Sequence, residues 1–311
     1  MSLAAKVSRS KRQDSAGKPV EIAAEIERFL ECCRGKGLQP STINRSYGMA
    51  LRKILLPFCE RMGWRTMADL TPYNLAAFTT ELHSRKLSKW SIASYVRSVN
   101  RFLSWHGIKD PADKAPRPRT RPVHRDVLTL KEMRQLELAA PSVRDQLIIR
   151  LLADTGCRLG ELTALTLGDV VQRGREWYLL VHGKTGERKV PIDEDVYRRV
   201  KSFAGHGRSH TSNDRLFVSS HRHPSTHQYE PLKEDGIYQV VQDVAERTKW
   251  KRRIHPHLLR HSWITHMEAS GVDPAVISQV AGVSIEVIVR NYSHLSDRDR
   301  HQAIMKALVE E

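Results

Sequence analysis

Five side chains, taken in chain order, are of types that can do chemistry together: Arg158, Lys184, His257, Arg260 and Tyr292. Arg158 stands in TGCRLGEL, just after Gly156 and at the expected start of a helix. Lys184 sits in HGKTGERKVP, at what reads as a hairpin tip. His257 and Arg260, in HPHLLRH, are three residues apart and share one face of a helix. Tyr292, in RNYSH, falls near the end of another helical stretch. Around one phosphodiester these types make a working set. Two guanidinium groups donate forked hydrogen bonds to the non-bridging oxygens and offset the charge that grows as a fifth oxygen approaches. An imidazole handles the nucleophile's proton, and a lysine protonates the departing alkoxide. A phenol attacks phosphorus and holds the strand as an ester, so rejoining needs no ATP. Arg158 and Arg260 supply the positive charge, and the set calls for neither a metal nor a cofactor.

Each of these residues alone has a plainer reading. An arginine after a glycine is commonly a surface charge or a cap, a lysine at a hairpin tip is commonly solvated, and a tyrosine on an amphipathic helix is commonly half-buried core. HxxR also arises by chance, so order and spacing carry the weight. The stretch AGVSIEVIVRNYSH, residues 281–294, poses the choice most sharply. It mimics the turn and second helix of a helix-turn-helix DNA reader, and it also contains Tyr292 as a nucleophile. Other constellations are weaker. His221, His223 and His227 have no acidic or cysteine partner nearby in sequence, which argues against zinc. Gly183-Lys184-Thr185 is no nucleotide-binding loop, because that motif needs glycine where Tyr178 stands.

The chain of 311 residues is long enough for two domains with cores of their own. Lys and Arg number 51 against 35 Asp and Glu, a net charge of +16 with a pI near 9.9, which points to a polyanionic partner and most often nucleic acid. No apolar run approaches membrane-spanning length, the N-terminus lacks the apolar core of a secretory signal, and a cytoplasmic protein is expected. Cys32, Cys33, Cys59 and Cys157 form no CxxC pair and read as reduced thiols.

Residues 1–18 read as a disordered basic tail. Residues 21–107 read as four helices: one with Ile22, Ile26, Phe29, Leu30 and Cys33 at helical spacing, stopped by Gly35; one opening at Ser41 and bent at Pro57; one opening at Thr71-Pro72; and one from Ser88 with Ile92, Val96, Val99 and Phe102 inward. The prolines and arginines of 111–126 make an extended cationic linker. Beyond it, Thr129 and Glu132 have capping-box spacing. Helices follow at 142–154 and just after Cys157, and strands at Trp177–Val181, Arg188–Ile192 and Leu216–Val218. Further helices are expected at 193–204, 234–247, 256–270, 274–281, 284–292 and 297–309. The fold expected is therefore two domains, an all-α N-terminal one and a mostly helical α+β one with a small antiparallel sheet.

Taken together the segments resemble the tyrosine recombinase, or phage integrase, family, which includes the Xer-like resolvases. The family's first arginine box, TGxRxxEL, is matched by residues 155–162. Its GK hairpin with a basic strand and VP is matched by Gly183-Lys184 and Lys189-Val190-Pro191, its HxLRH box by residues 257–261, and its terminal YxH by Tyr292-Ser293-His294. The resemblance covers residues 20–311. It implies a four-helix, SAM-like core DNA-binding domain at 19–110, the linker at 111–126 as a strap, and a catalytic domain at 127–311. It further implies a site-specific recombinase acting on double-stranded DNA through a 3′-phosphotyrosyl intermediate on Tyr292. Arg158 and Arg260 bind the phosphate, Lys184 is the acid and His257 assists the proton, while Glu161 is read as a buttress. The family assembles as a homo-tetramer on two DNA sites, with room for an accessory DNA-bending or directionality protein. One position departs. Nine residues before the tyrosine the family carries histidine or tryptophan, and here Val283 stands, which donates no hydrogen bond. A recombinase-like DNA-binding protein with weak or absent cleavage is the alternative this leaves open; His261, His266 and His294 are candidate substitutes. A topoisomerase of similar chemistry is a third class.

Overall fold

The computed structural model describes residues 20–120, 126–183 and 186–292, the last three of these through their backbone only. They fall into two compact units, residues 20–120 and residues 126–292.

The first unit is helical throughout: α1 (Ile22–Gly35), α2 (Thr42–Leu55), α3 (Leu56–Arg61), α4 (Pro72–Ser84) and α5 (Lys89–His106). Two of its helices, α4 and α5, start where a side chain satisfies a first-turn amide. Thr71 Oγ1 accepts from Asn74 N at 3.2 Å and Ser88 Oγ from Ser91 N at 3.0 Å. Apolar residues at helical spacing fill one core around Phe29, whose ring lies 5.3–5.7 Å from Tyr47, Phe102 and Trp105. The bend expected at Pro57 takes another form. The Leu56 amide reaches back five residues to the Leu51 carbonyl, so α2 is wound wide and runs on into α3. A wide turn there suits a proline that has no amide hydrogen to give. After α5 a single helical turn, Pro111–Asp113, leads to Ala115, which Asn100 grips through both backbone groups at 2.9 and 3.0 Å.

The second unit packs its sheet and most of its helices around one large core, with a second, small apolar cluster beside it. α6 (Leu130–Ala139) opens on the expected capping box, with Glu132 N donating to Thr129 Oγ1 and Thr129 N to Glu132 Oε2. α7 (Val143–Thr155) is buried along most of its length and packs on α6, on α11 (Pro256–Ala269) and on α8 (Leu159–Ala164). The sheet is β1 (Val170–Arg173), β2 (Glu176–Gly183) and β3 (Gly186–Ile192), antiparallel in that order, with Leu179 opposite both Val170 and Val190. Those three side chains and Val181 face the core. α9 (Glu194–Ser202), α10 (Glu234–Arg247), α12 (Pro274–Ala281) and α13 (Ile285–Tyr292) complete the described part.

One strand expectation is corrected. Residues 216–218 form no strand: Leu216 N donates to Leu165 O, Phe217 O accepts from Leu232 N, and Val218 makes a single isolated bridge to Pro231. The segment ties separate loops together on its two sides and never builds a ladder. The third strand is instead β1, four residues whose sequence VVQR is too short to show alternation. The expected tail at 1–18 and the helix at 297–309 lie outside the described residues.

Candidate active site

Arg158 is the residue before α8, at a turn that the sequence makes possible through Gly156. Gly156 has a left-handed backbone (φ 59°), and a Cβ there would lie 2.4 Å from the Trp263 ring, so only glycine fits. The turn presents Arg158 to Glu161, its own helix's first-turn acid. The Arg158 amide donates to Glu161 Oε2 and Nη1 donates to Oε1, both at 2.7 Å, while Nη2 donates to the Gly282 carbonyl. Arg260 comes from α11 and is buried. Its Nη1 donates to the Gly156 carbonyl at 2.6 Å, which seats it beside the same turn. Burial, then the charge of Arg158, pushes the Arg260 guanidinium down to about 10, so it is still charged at neutral pH.

His257 lies one turn before Arg260 on α11 and is exposed. The histidine two residues earlier has a different task. His255 Nδ1 accepts from the Leu258 amide at 3.1 Å and caps α11, and burial, then the neighbouring His257 and Arg253, lowers its pKa. The β2–β3 hairpin closes with Gly183 opposite Gly186, and Lys184 between them lies outside the described residues. Its base nonetheless touches the site: a Cβ on Gly183 would sit 2.7 Å from Glu161 Oε1. Tyr292 is the last residue of α13, placed here through its backbone; Ser293 and His294 lie outside the described residues.

Two further facts bear on the terminal box. α12 ends on Gly282 in the left-handed conformation (φ 63°), whose carbonyl is the one Arg158 holds. A helix, a tight turn and α13 therefore do form helix-turn-helix geometry, anchored on the arginine site. Val283, next in the chain, packs with Trp263, Ile264, Ile277, Ala281 and Ile288 in a small apolar cluster, while its carbonyl accepts from Ser278 Oγ at 2.7 Å. Of the three histidines considered as substitutes for its missing donor, His266 pairs through Nε2 with the Leu128 carbonyl at 2.7 Å, His261 is buried, and His294 is outside the described residues.

Sequence reasoning missed Arg188. It sits on β3, reads as one more cation of a basic strand, and is almost buried. Both of its Nη atoms donate to Glu161, at 2.9 and 2.7 Å, and its Nε donates to the Val280 carbonyl at 2.7 Å. Its partner lies 27 residues away, so no local spacing reveals it. The signal was present only indirectly, in two glycines, Gly183 and Gly282, that leave room for the pair. Burial alone would raise the Glu161 carboxyl, but the hydrogen bonds from Arg188 and Arg158 outweigh it and hold the group at about 2.

A model of the phage integrase family matches residues 126–299, which span this site and most of the second unit. The chain belongs to that family. Among curated relatives, the tyrosine recombinase XerD of Halalkalibacterium halodurans is 27% identical over 84% of this chain and 89% of its own. The XerA enzyme of Pyrococcus furiosus is 26% identical over 92% and 94%, and a tyrosine recombinase of Pseudothermotoga lettingae is 30% identical over 78% and 85%. Among solved structures, the Tn1549 transposon integrase in complex with transposon right end DNA superposes with a TM-score of 0.70 at 16% identity, covering 93% of this chain and all of that one. The XerH site-specific recombinase bound to palindromic difH substrate gives 0.67 at 18%, covering 90% and 83%. At these identities the structures establish a shared fold, mostly helical with a small three-stranded antiparallel sheet. With the family and these relatives in view, this integrase-family chain is a tyrosine recombinase, an enzyme that cleaves and rejoins DNA strands.

Proposed function

We propose that the strand exchange runs through five named side chains. Tyr292 attacks a scissile phosphate of duplex DNA and forms a 3′-phosphotyrosyl link, freeing a 5′ hydroxyl. Arg158 and Arg260 bind the non-bridging oxygens and stabilise the five-coordinate phosphorus. Lys184 protonates the leaving oxygen, and His257 assists proton transfer at the phenol. The freed hydroxyl of a partner strand then attacks the tyrosyl ester, which reverses the chemistry on a new strand. The observation that carries this reading is the meeting of Arg158 and Arg260 at the Gly156 turn, with Arg158 also holding the turn that leads into the helix of Tyr292.

The rest of the reading follows the family. The helical unit at 19–110 binds the core site as a four-helix module, the basic segment 111–126 crosses the backbone, and four copies assemble on two DNA sites in the cytoplasm. An accessory DNA-bending or directionality protein fits the same picture. Several described DNA-bound neighbours support a nucleic-acid partner, including a lambda integrase tetramer bound to a Holliday junction. The net charge of +16 fits phosphate contacts and salt-sensitive binding.

The test is covalent trapping. The full chain is incubated with nicked duplexes drawn from the DNA flanking its own gene, denatured, and examined for a protein–DNA adduct. An adduct that disappears in Tyr292→Phe, with affinity nearly unchanged, is the expected result. Salt-sensitive binding without any adduct on these duplexes would instead leave a protein that binds DNA and does not cut it.

A further inference from the structure

Among the described residues, the one carboxylate in the arginine cluster works against the chemistry assigned to it. Glu161 is 5% exposed and accepts from both the amide and the side chain of Arg158. A buried negative charge at 2.7 Å from a phosphate-binding guanidinium cancels much of the charge that an anionic substrate needs. It also orients that guanidinium, so deleting it is no remedy.

A second cation sits on the same carboxylate, beside Arg158. Arg188 covers both Glu161 oxygens with two parallel hydrogen bonds, the strongest arrangement open to a carboxylate. All three of its nitrogens are engaged within the protein, the third on the carbonyl of Val280 near the end of α12. It is 11% exposed, and its donors are turned inward, so it is not a phosphate ligand. The fold makes room for it at two points. A Cβ on Gly183 would come within 3.3 Å of Arg188 Nη1, and one on Gly282 within 3.2 Å of its Cζ. Both glycines belong to the segments that lead to Lys184 and to Tyr292.

Resting on the recombinase reading above, we propose that Arg188 is a positioning residue for strand cleavage: it neutralises Glu161, so that Glu161 orients Arg158 without taking the charge Arg158 offers to the scissile phosphate. Arg188 touches no substrate. It acts through Glu161, and secondarily fixes the end of α12 against β3.

The experiment compares adduct formation on the nicked duplex by the wild type and by Arg188→Gln, Arg188→Lys and the double variant Glu161→Gln/Arg188→Gln, with DNA affinity and thermal melting measured alongside. Arg188→Gln slows cleavage on the order of 10²-fold, the scale of losing one preorganised charge contact, and leaves affinity within a few-fold. Arg188→Lys keeps the charge and stays within about tenfold of the wild type. The double variant recovers at least about tenfold over Arg188→Gln, because the offending carboxylate has gone too. If Arg188 were only a tether to Val280, removing Glu161 as well would restore nothing, and that outcome overturns the proposal. Should Arg188→Gln fail to fold, Glu161→Gln with and without Arg188→Gln decides: loss of Arg188 then costs less than about threefold, and a larger loss is decisive against it. A wild type that forms adduct while Arg188→Gln is unimpaired sinks this inference alone. No adduct from the wild type sinks the five-residue cleavage scheme beneath it.

Discussion

The second unit holds two buried charge clusters, and they are built in opposite senses. Around Glu161, three guanidinium groups (Arg158, Arg188 and Arg260) surround a single described carboxylate. Around Arg150 on α7 the proportions even out. Arg150 pairs with Glu137, Asp154 and Asp193, while Arg134 and Arg199 also pair with Glu137. Arg150 and Glu137 are each less than a tenth exposed, much like Arg188 and Glu161. Burial is therefore common to both, and charge balance separates them. The Arg150 cluster pairs each of its charges with an opposite one and pins α6, α7 and the start of α9 together. The Glu161 cluster is left with positive charge that nothing described in the protein compensates, at a turn open to solvent through Arg158. A cluster that is buried, well bonded and out of balance is built for a missing anion.

Substitution should pull the two clusters apart. Arg260→Ala removes one of the uncompensated charges, and strand cleavage is expected to fall on the order of 10³-fold while melting moves little. Arg150→Ala reverses the pattern: it takes the partner from Asp154 and leaves Glu137 to Arg134 and Arg199, which lowers unfolding free energy by about 1–3 kcal/mol, with cleavage by the folded fraction close to normal. Paired melting and adduct assays check both. If Arg150→Ala cut cleavage as deeply as Arg260→Ala at a temperature where both are folded, the separation would fail.

Acid gives a finer comparison. The Glu161 carboxyl lies at about 2 in the folded chain against 4.5 when unfolded. A depressed pKa contributes stability that is complete above 4.5 and lost as pH falls towards 2, worth about 3 kcal/mol over that window. Glu161→Gln should therefore flatten the acid limb of the stability curve there by up to one proton, as read from denaturant melts at several pH values. An unchanged slope would mean that the carboxylate is not held by its arginines.

The smallest effect concerns the missing donor. Val283→His adds a hydrogen-bonding group next to Gly282, and cleavage is expected to rise about tenfold, a fraction of what one full donor is worth. The rise stays partial because Val283 sits in the apolar cluster with Trp263 and Ile288, where an imidazole packs less well. No change, with the fold intact, would show that the position no longer faces the phosphate.

Much of this was legible in the sequence because the motifs bundle chemistry with backbone geometry. TGCR announces a turn as well as an arginine, and Thr129 with Glu132 announces a helix start that the structure reproduces bond for bond. The helices of the first unit show in their apolar spacing for the same reason. Three features were not legible. β1 is too short for its alternation to register. Residues 216–218 look like a strand because they are apolar, yet their hydrogen bonds go to Leu165 on one side and Leu232 on the other. Arg188 is an ordinary basic residue until the fold brings Glu161 against it. Periodicity reports which face is buried, and it is silent on which charges meet across the core.

The closeness of Trp263 to Gly156 has a consequence for how such a chain can drift. The indole fills the volume that a Cβ at residue 156 would need, just as Arg188 and Arg158 fill the volume beside Gly282. Glycine and large neighbour are thus one heritable unit at each place. A descendant that gains a side chain at 156 must shrink residue 263 in the same lineage, whereas losing Arg188 alone frees neither Gly183, whose Cβ would still meet Glu161, nor Gly282, which is left-handed and beside Arg158. In an alignment of relatives these positions should change together or not at all.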